Sequence, residues 1–310
     1  MGDKDTKSKE YMANNEHFAD LCNYALYNGN SIIQPEELME QDSTENLSIL
    51  LSDGNEELVQ RWRDLLKKAV IKSDGKAIYI LIGVENQTEV HYAMPIRTML
   101  YDALNYSSQV KDIALRHRKQ KDEMSKAEFL SGFCQTDKLM PVITITVYWG
   151  SDAWDAPTNL HDMFDDIDVE LKGFIPDYHI NLVAPYHMQE SDFKKFQTTL
   201  GKILKFLKYA KDKNKLGQVL AEDITYKTLD NDAVSMINLF ADAKIKLEEQ
   251  KEETDVCQAI EEMKEECKAA ECIKTVENAM KNFSVSLEEA CKALGYTIEA
   301  YQEAKLIVAK

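Results

Sequence analysis

The segment IYILIGVENQ, residues 78–87, runs through apolar and β-branched positions and then sets down Glu85, Asn86 and Gln87 without a break. A strand ending this way offers a carboxylate and two amides at the edge of a buried layer. Upstream, DLLKKAVIKS and KAIYILIGVE flank Asp74-Gly75, and an Asp-Gly pair between β-rich runs predicts a two-residue hairpin turn. With Ser73 opposite Lys76, paired residue numbers sum to 149, and Asp64 with Glu85 satisfies that sum. The two carboxylates then face each other across the ladder, about 5 Å apart at Cβ, with Gln87 on the same face. Like charges so placed repel. Either one carboxyl takes a proton, or a hard cation with oxygen ligands lies between them, and Mg2+ suits the second case.

The elements that must position these residues follow from periodicity. A helix is expected over about 7–28, stopped by Asn28-Gly29-Asn30, and SIIQPEEL reads as an extended entry limited by Pro35. Residues 40–57 read as a polar excursion. Ile78, Ile80, Ile82 and Val84 alternate with Tyr79, Leu81 and Gly83, so this strand is expected to be covered on both faces, as in an α/β core. Met94-Pro95 opens a long helix. KQKDEMSKAEFLSGFCQTDK is a polar insertion, MPVITITVYWG and DYHINLVAPY are strands, and ESDFKKFQTTLGKILKFLKYAK is an amphipathic helix. The division predicted is a mixed-sheet α/β domain at 1–212 and a helical region at 213–310. In the latter, Val256, Ile260, Met263 and Cys267 form a narrow seam suited to a partner helix, hence a homo-oligomer. A capping box at Ser286 and Glu289, Gly295 and Thr297 mark a terminal helical hairpin.

Bulk composition narrows the classes. The 310 residues are 44% hydrophobic and 29% charged, the profile of an ordinary globular protein. There is no apolar run of membrane-spanning length and no signal-like start, so a cytoplasmic protein without membrane attachment is expected. Net charge is −17, which by itself opposes DNA binding, but residues 247–272 alone supply ten acidic residues against three lysines. Residues 61–76 carry six basic and two acidic residues, so the local clusters outweigh the total. The six cysteines show no CxxC spacing and none sits beside a histidine at zinc-ligand spacing, which predicts reduced thiols and no structural zinc. Phosphate-binding glycine loops and a GxSxG elbow are absent, and DMFDDIDVE lacks the glycine and terminal glutamate of a calcium loop.

FADLCNYALYNG, RWRDLLKK, IYILIGVENQTEVHYAMPIRTMLYDALNY and MPVITITVYWG, followed by NLHDMF and PDYHINLV, together resemble the recombination-promoting nuclease/putative transposase family. That family is a branch of the PD-(D/E)XK nuclease superfamily, and the resemblance covers about residues 11–209. It implies a restriction-endonuclease-like mixed sheet flanked by helices, in which an acid opens one strand and an E-x-[KQ] element closes its neighbour. Asp64 matches the first, Glu85 and Gln87 the second. The implied activity is Mg2+-dependent hydrolysis of DNA phosphodiesters, with Mn2+ as a substitute, in recombination, mobile-element movement or phage defence. Asp64, Glu85 and the Asn86 carbonyl are then the implied metal ligands. Gln87 stands where the superfamily has a lysine; it can orient a water but carries no charge, which leaves a catalytically weak or inactive DNA- or protein-binding relative as the alternative. Asp20 matches a helix carboxylate often near the metal, or is a plain surface charge. Arg97 and Tyr101 share a helix face and could reach a phosphate or brace the helix. Lys67, Lys68 and Lys72 could track a DNA backbone or simply aid solubility, and the three tryptophans read as packing.

Overall fold

The computed structural model describes residues 2–41, 44–50, 56–62, 64–73, 76–247 and 251–308; the side chains of 44–50, 56–62, 72–73 and 76–77 fall outside it. The chain divides into two compact units, residues 1–213 with 239–242, and residues 214–238 with 243–310.

The first unit contains α1 (Asp3–Ala13), α2 (Asn15–Tyr27), β1 (Met39–Glu40), β2 (Thr44–Leu50), β3 (Glu56–Trp62), β4 (Leu65–Ser73) and β5 (Lys76–Gln87). There follow α3 (Met94–Gln120), α4 (Lys126–Ser131), β6 (Val142–Tyr148), α5 (Val169–Lys172), β7 (Asn181–Val183), α6 (Glu190–Phe193) and α7 (Leu200–Tyr209). Five strands form one mixed sheet in the order β1-β4-β5-β6-β7. β4 is antiparallel to β1 and β5, whereas β5, β6 and β7 run parallel. The β5-to-β6 connection carries α3, as parallel neighbours require a crossover.

The β4–β5 register runs from Ser73↔Lys76 to Leu65↔Val84, which is the pairing that the 149 sum demands. The turn residues Asp74 and Gly75 themselves lie outside the described residues. Ile80, Leu81, Ile82 and Val84 are all nearly inaccessible, so both faces of β5 are covered there, while Ile78 and Tyr79 toward the hairpin tip are exposed. β6, reading VITITVY, is likewise buried along almost its whole length. Its central place between two parallel partners accounts for its unbroken run of β-branched residues.

Several expected elements are subdivided. The single helix over 7–28 is two, because the Asn14 side chain accepts a hydrogen bond from the Glu16 N–H at 2.8 Å and caps α2 afresh. The polar excursion is the β2–β3 antiparallel pair. The amphipathic helix near 190–210 breaks into α6 and α7, and Gly201 lets α7 approach the break, where a Cβ would lie 2.7 Å from Phe196 Cβ. Among the described residues no helix is long and apolar enough to cross a membrane.

The second unit contains α8 (Lys213–Glu222), β8 (Leu229–Asp230), α9 (Asn231–Ala241), β9 (Glu253–Thr254), α10 (Val256–Phe283), α11 (Leu287–Leu294) and α12 (Ile298–Val308). It is not wholly helical: β8 and β9 pair antiparallel, tying the start of α9 to the start of α10. The capping box at Ser286 with Glu289, the left-handed Gly295 (φ +76°) and the Thr297 cap all form. The C-terminal half of α10 packs within the chain, where Ala269, Cys272 and Val276 meet Ala290, Cys291, Tyr301 and Ala304.

Lys67 corrects one expectation. It is only 2% exposed, and its ammonium donates to the Ala13 carbonyl and to Asn15 Oδ1, both at 2.5 Å, with the Phe18 ring 4.9 Å away. Burial pushes its pKa below the ordinary lysine value, with Glu40 opposing. The side chain clamps the α1–α2 junction onto β4 and is not offered to a DNA backbone. Lys67→Met removes the donor from two acceptors, and we expect a loss of about 1.5–3 kcal/mol in urea unfolding. A change under about 0.5 kcal/mol, the range of ordinary surface substitutions, would contradict the clamp.

Candidate active site

The start of β4, the carboxyl end of β5 and the first turn of α3 meet at one groove. Its volume is about 650 Å3, and Asp64, Asn86, Gln87, His91 and Arg97 line it together with Asp5 and Lys9 from α1. Residues from the start of β4, the end of β5, the loop after it and two helices therefore converge there.

Each polar group at the strand ends is held. The Asn86 N–H donates to Asp64 Oδ2 at 2.7 Å, fixing Asp64 just before β4 begins, across from the end of β5. Gln87 Nε2 donates to the Asn86 carbonyl at 3.1 Å, and the Gln87 carbonyl accepts from the Trp149 N–H at 2.9 Å. The Asn86 side chain turns to the other face, where Oδ1 accepts from Trp149 Nε1 at 3.0 Å. Trp149 is fully buried, stacking on Phe240 and meeting Tyr11 edge-on. Trp154 is buried too. Both tryptophans are packing residues, and the Trp62 side chain lies outside the described residues.

Glu85 has no exposed surface, and its carboxylate meets Arg97 Nη2 at 3.0 Å. Arg97 Nε also donates to the hydroxyl of Tyr101 at 3.3 Å, one helical turn on. Tyr101 is 4% exposed, so it braces Arg97 from below and does not itself reach a ligand. A guanidinium in the first turn of a helix opposes the macrodipole, whereas the Glu85 carboxylate beside that turn is favoured by it. The pair thus places each charge for the other's sake. Burial opposes the charge on Arg97, but Glu85, then Tyr101 and Asp64, outweigh it and hold its pKa above the usual arginine value.

Asp64 is in the opposite condition. Burial raises its carboxyl above the ordinary range; the Asn86 N–H, Arg97 and Lys9 pull it back, and Asp5 adds to the rise. The fold therefore holds an ionised Asp64 at some cost, which a nearby cation would relieve. The nearby donors are all oxygen: Asp64 and Asn86 line the groove, which leaves room for waters and a phosphate, while the Glu85 carboxylate is fully buried against Arg97 and is not part of that lining. This donor set fits Mg2+.

The remaining sequence candidates lie elsewhere. Asp20, expected near the metal, is buried under the α6–α7 break. Its carboxylate accepts from the Gln197 and Thr198 N–H groups at 2.9 and 2.8 Å and from Thr198 Oγ1 at 2.6 Å. It anchors that loop and does not line the groove. Lys68 is half-buried with its ammonium 4.2 Å from the Tyr79 ring centroid, and Lys72 sits opposite Ala77 on β4 with its side chain outside the described residues. Six groove residues were missed from sequence: Asp5, Lys9, Thr88, Glu89, Val90 and His91. The first two belong to a helix whose place over the sheet follows from the Lys67 clamp, which no local pattern announces.

Because Asp64 is held charged against burial, its folded-state pKa exceeds the unfolded value, and its ionised form costs stability at neutral pH. That cost is relieved as pH falls through the folded pKa. Asp64→Asn, which keeps an acceptor for the Asn86 N–H, is expected to raise the urea midpoint at pH 7.5, with the gain shrinking on acidification. In contrast, Arg97→Met leaves Glu85 buried without its guanidinium and is expected to cost about 3–5 kcal/mol at neutral pH. Adding Glu85→Gln to that variant should recover much of the loss. Non-recovery, or a stability of Asp64→Asn that never exceeds wild type, would contradict these assignments.

A family model described as putative transposase, YhgA-like matches residues 35–236, a span that contains Asp64, Glu85, Gln87 and Arg97 but neither Lys9 nor Asp20. No curated protein and no solved structure matches the chain. The α/β chain, with its five-stranded mixed sheet, belongs to the putative transposase, YhgA-like family, within the PD-(D/E)XK nuclease-like group.

Proposed function

We propose that the protein is a metal-dependent DNA endonuclease with a restriction-endonuclease-like core, acting on mobile or recombining DNA. One observation carries the reading: an acid before β4 and an E-N-Q element ending β5 are joined by the Asp64–Asn86 hydrogen bond at the edge of an open groove. Family membership supports the same class of chemistry.

In this reading Asp64, Glu85 and the Asn86 carbonyl would hold Mg2+ or Mn2+. When bound, the ion supplies Lewis-acid polarisation of a phosphodiester and acidifies water. The chain's own residues do the rest. Arg97 supplies the countercharge to Glu85 and fixes its orientation from the first turn of α3. Gln87, tethered through its amide nitrogen to the Asn86 carbonyl, leaves its side-chain oxygen to accept from an attacking water. Lys9 reaches the groove from α1 and supplies the positive charge that Gln87 lacks; the fall it causes in the Asp64 pKa puts it within that carboxylate's field. A phosphate entering the groove meets this ammonium and the Arg97 guanidinium, so the overall negative charge of the chain does not bar it.

The test is nicking of supercoiled plasmid by purified protein with Mg2+. Wild type is expected to nick, chelation to abolish nicking, and Asp64→Asn and Glu85→Gln to fall to background. Lys9→Ala is expected to slow the reaction about tenfold, equivalent to about 1.4 kcal/mol, and Gln87→Lys to be no slower than wild type. Equal nicking by wild type and both acid variants would point to a contaminant. A folded wild-type protein that binds plasmid without ever cutting it would leave the non-catalytic, DNA-binding alternative.

A further inference from the structure

The insertion between α3 and β6 returns to the end of α3 and brings together side chains that are far apart in sequence. His117 lies in the last turn of α3, and Cys134 and Asp137 lie in the loop after α4. One ligand atom from each of the three falls within 4.8 Å of the other two. The approach is built into the backbone. Gly132, at φ +70°, ends α4 against α3 so closely that a Cβ there would lie 2.7 Å from Ala114 Cβ. Two residues on along the loop, and three along α3, are Cys134 and His117.

Polar contacts tie the three residues to one another. His117 Nδ1 meets Asp122 Oδ2 at 2.6 Å and Nε2 meets Asp137 Oδ2 at 2.8 Å, so each ring nitrogen faces a carboxylate acceptor, and an ion on Nε2 would take the place of a proton there. Arg116 holds the other oxygen, Asp137 Oδ1, at 3.3 Å, while the Cys134 N–H donates to Oδ2 at 2.7 Å. A carboxylate on the far nitrogen of a histidine is the usual outer partner of a metal-bound imidazole, setting its tautomer and basicity. Thiolate, imidazole and carboxylate are each established zinc ligands, with bonds of about 2.0–2.3 Å. Such bonds separate neighbouring ligand atoms in a tetrahedron by roughly 3.3–3.8 Å, so the three groups are within about 1 Å of the required spacing. The thiolate selects zinc over magnesium.

We propose that Cys134 Sγ, His117 Nε2 and Asp137 Oδ2 form a Zn2+ site, with water in the fourth position and Asp122 as its outer carboxylate. Two negative ligands neutralise the ion, and binding releases the thiol proton and any proton on Nε2. The site staples the insertion to the C-terminus of α3. It is separate from the groove and does not depend on the nuclease reading.

Full-length protein stripped with a chelator is titrated with Co2+ and then with Zn2+. Expected is a sulfur-to-cobalt charge-transfer band that saturates at one thiolate-bound Co2+ per chain, Co2+ in the groove adding nothing to it, and that Zn2+ bleaches. The band should persist in Asp64→Asn and in Cys267→Ser, which removes an exposed thiol, and vanish in Cys134→Ser. His117→Gln provides a second, thiol-independent variant and should weaken binding at least about tenfold; Asp122→Asn should weaken it about 10- to 100-fold. Circular dichroism checks that the variants keep their helix content, and either a folded Cys134→Ser or a folded His117→Gln suffices. A wild type without the band, a band unchanged in the folded variant, or a band lost in Asp64→Asn or Cys267→Ser overturns the site.

Discussion

A carboxylate with no exposed surface at the end of a central strand sets the terms for this structure. An isolated buried ion is costly by several kcal/mol even after relaxation, so Glu85 requires a countercharge at hydrogen-bond distance. Arg97 provides it, and Arg97 in turn needs Tyr101 to hold its second edge. That requirement fixes where the first turn of α3 must lie over the ends of β5 and β6. A fold seeking stability alone would place an apolar residue at 85 and leave no cation in the opening turn of a helix. In the proposed reading, both choices keep charge dry and in place before a second cation and a phosphate are met.

Two further devices bring the groove together. The Asp64–Asn86 hydrogen bond joins the entry to β4 with the exit of β5, so the separation of the acids is set by the ladder itself. On the other side, the Lys67 ammonium binds the carbonyl end of α1 to the sheet, and α1 carries Lys9 and Asp5 to the groove. Buried charge therefore serves twice, once to anchor a helix and once to prepare a site.

Legibility in the sequence followed from how local each cause is. The β4–β5 register needed only the Asp-Gly turn signal and a period of two, and the arithmetic reached the observed pairing. The long helix from Met94 and the strand at Val142 carried their own patterns, as did the caps near Ser286 and Gly295. Charged residues misled wherever tertiary partners claimed them. Asp20 went to backbone N–H groups at Gln197 and Thr198, some 177 and 178 residues away, and Lys67 to Ala13 and Asn15. The single helix over 7–28 failed because Asn14 offered the backbone a side-chain acceptor in mid-run, a choice that helical periodicity cannot register. The His117–Cys134–Asp137 cluster escaped sequence reading for the same reason: its members come from a helix end and a returning loop, joined by a close approach at Gly132.

The central claim is that the two strand-end acids share one divalent ion. Diffraction from crystals soaked in Mn2+, recorded at the manganese edge, tests it directly. The account predicts an anomalous peak about 2.0–2.2 Å from oxygens of both Asp64 and Glu85, with the Arg97 guanidinium turned away from, or shared across, the Glu85 carboxylate. An ion bound elsewhere, with the Arg97–Glu85 pair undisturbed and the space beside Asp64 holding none, would contradict it.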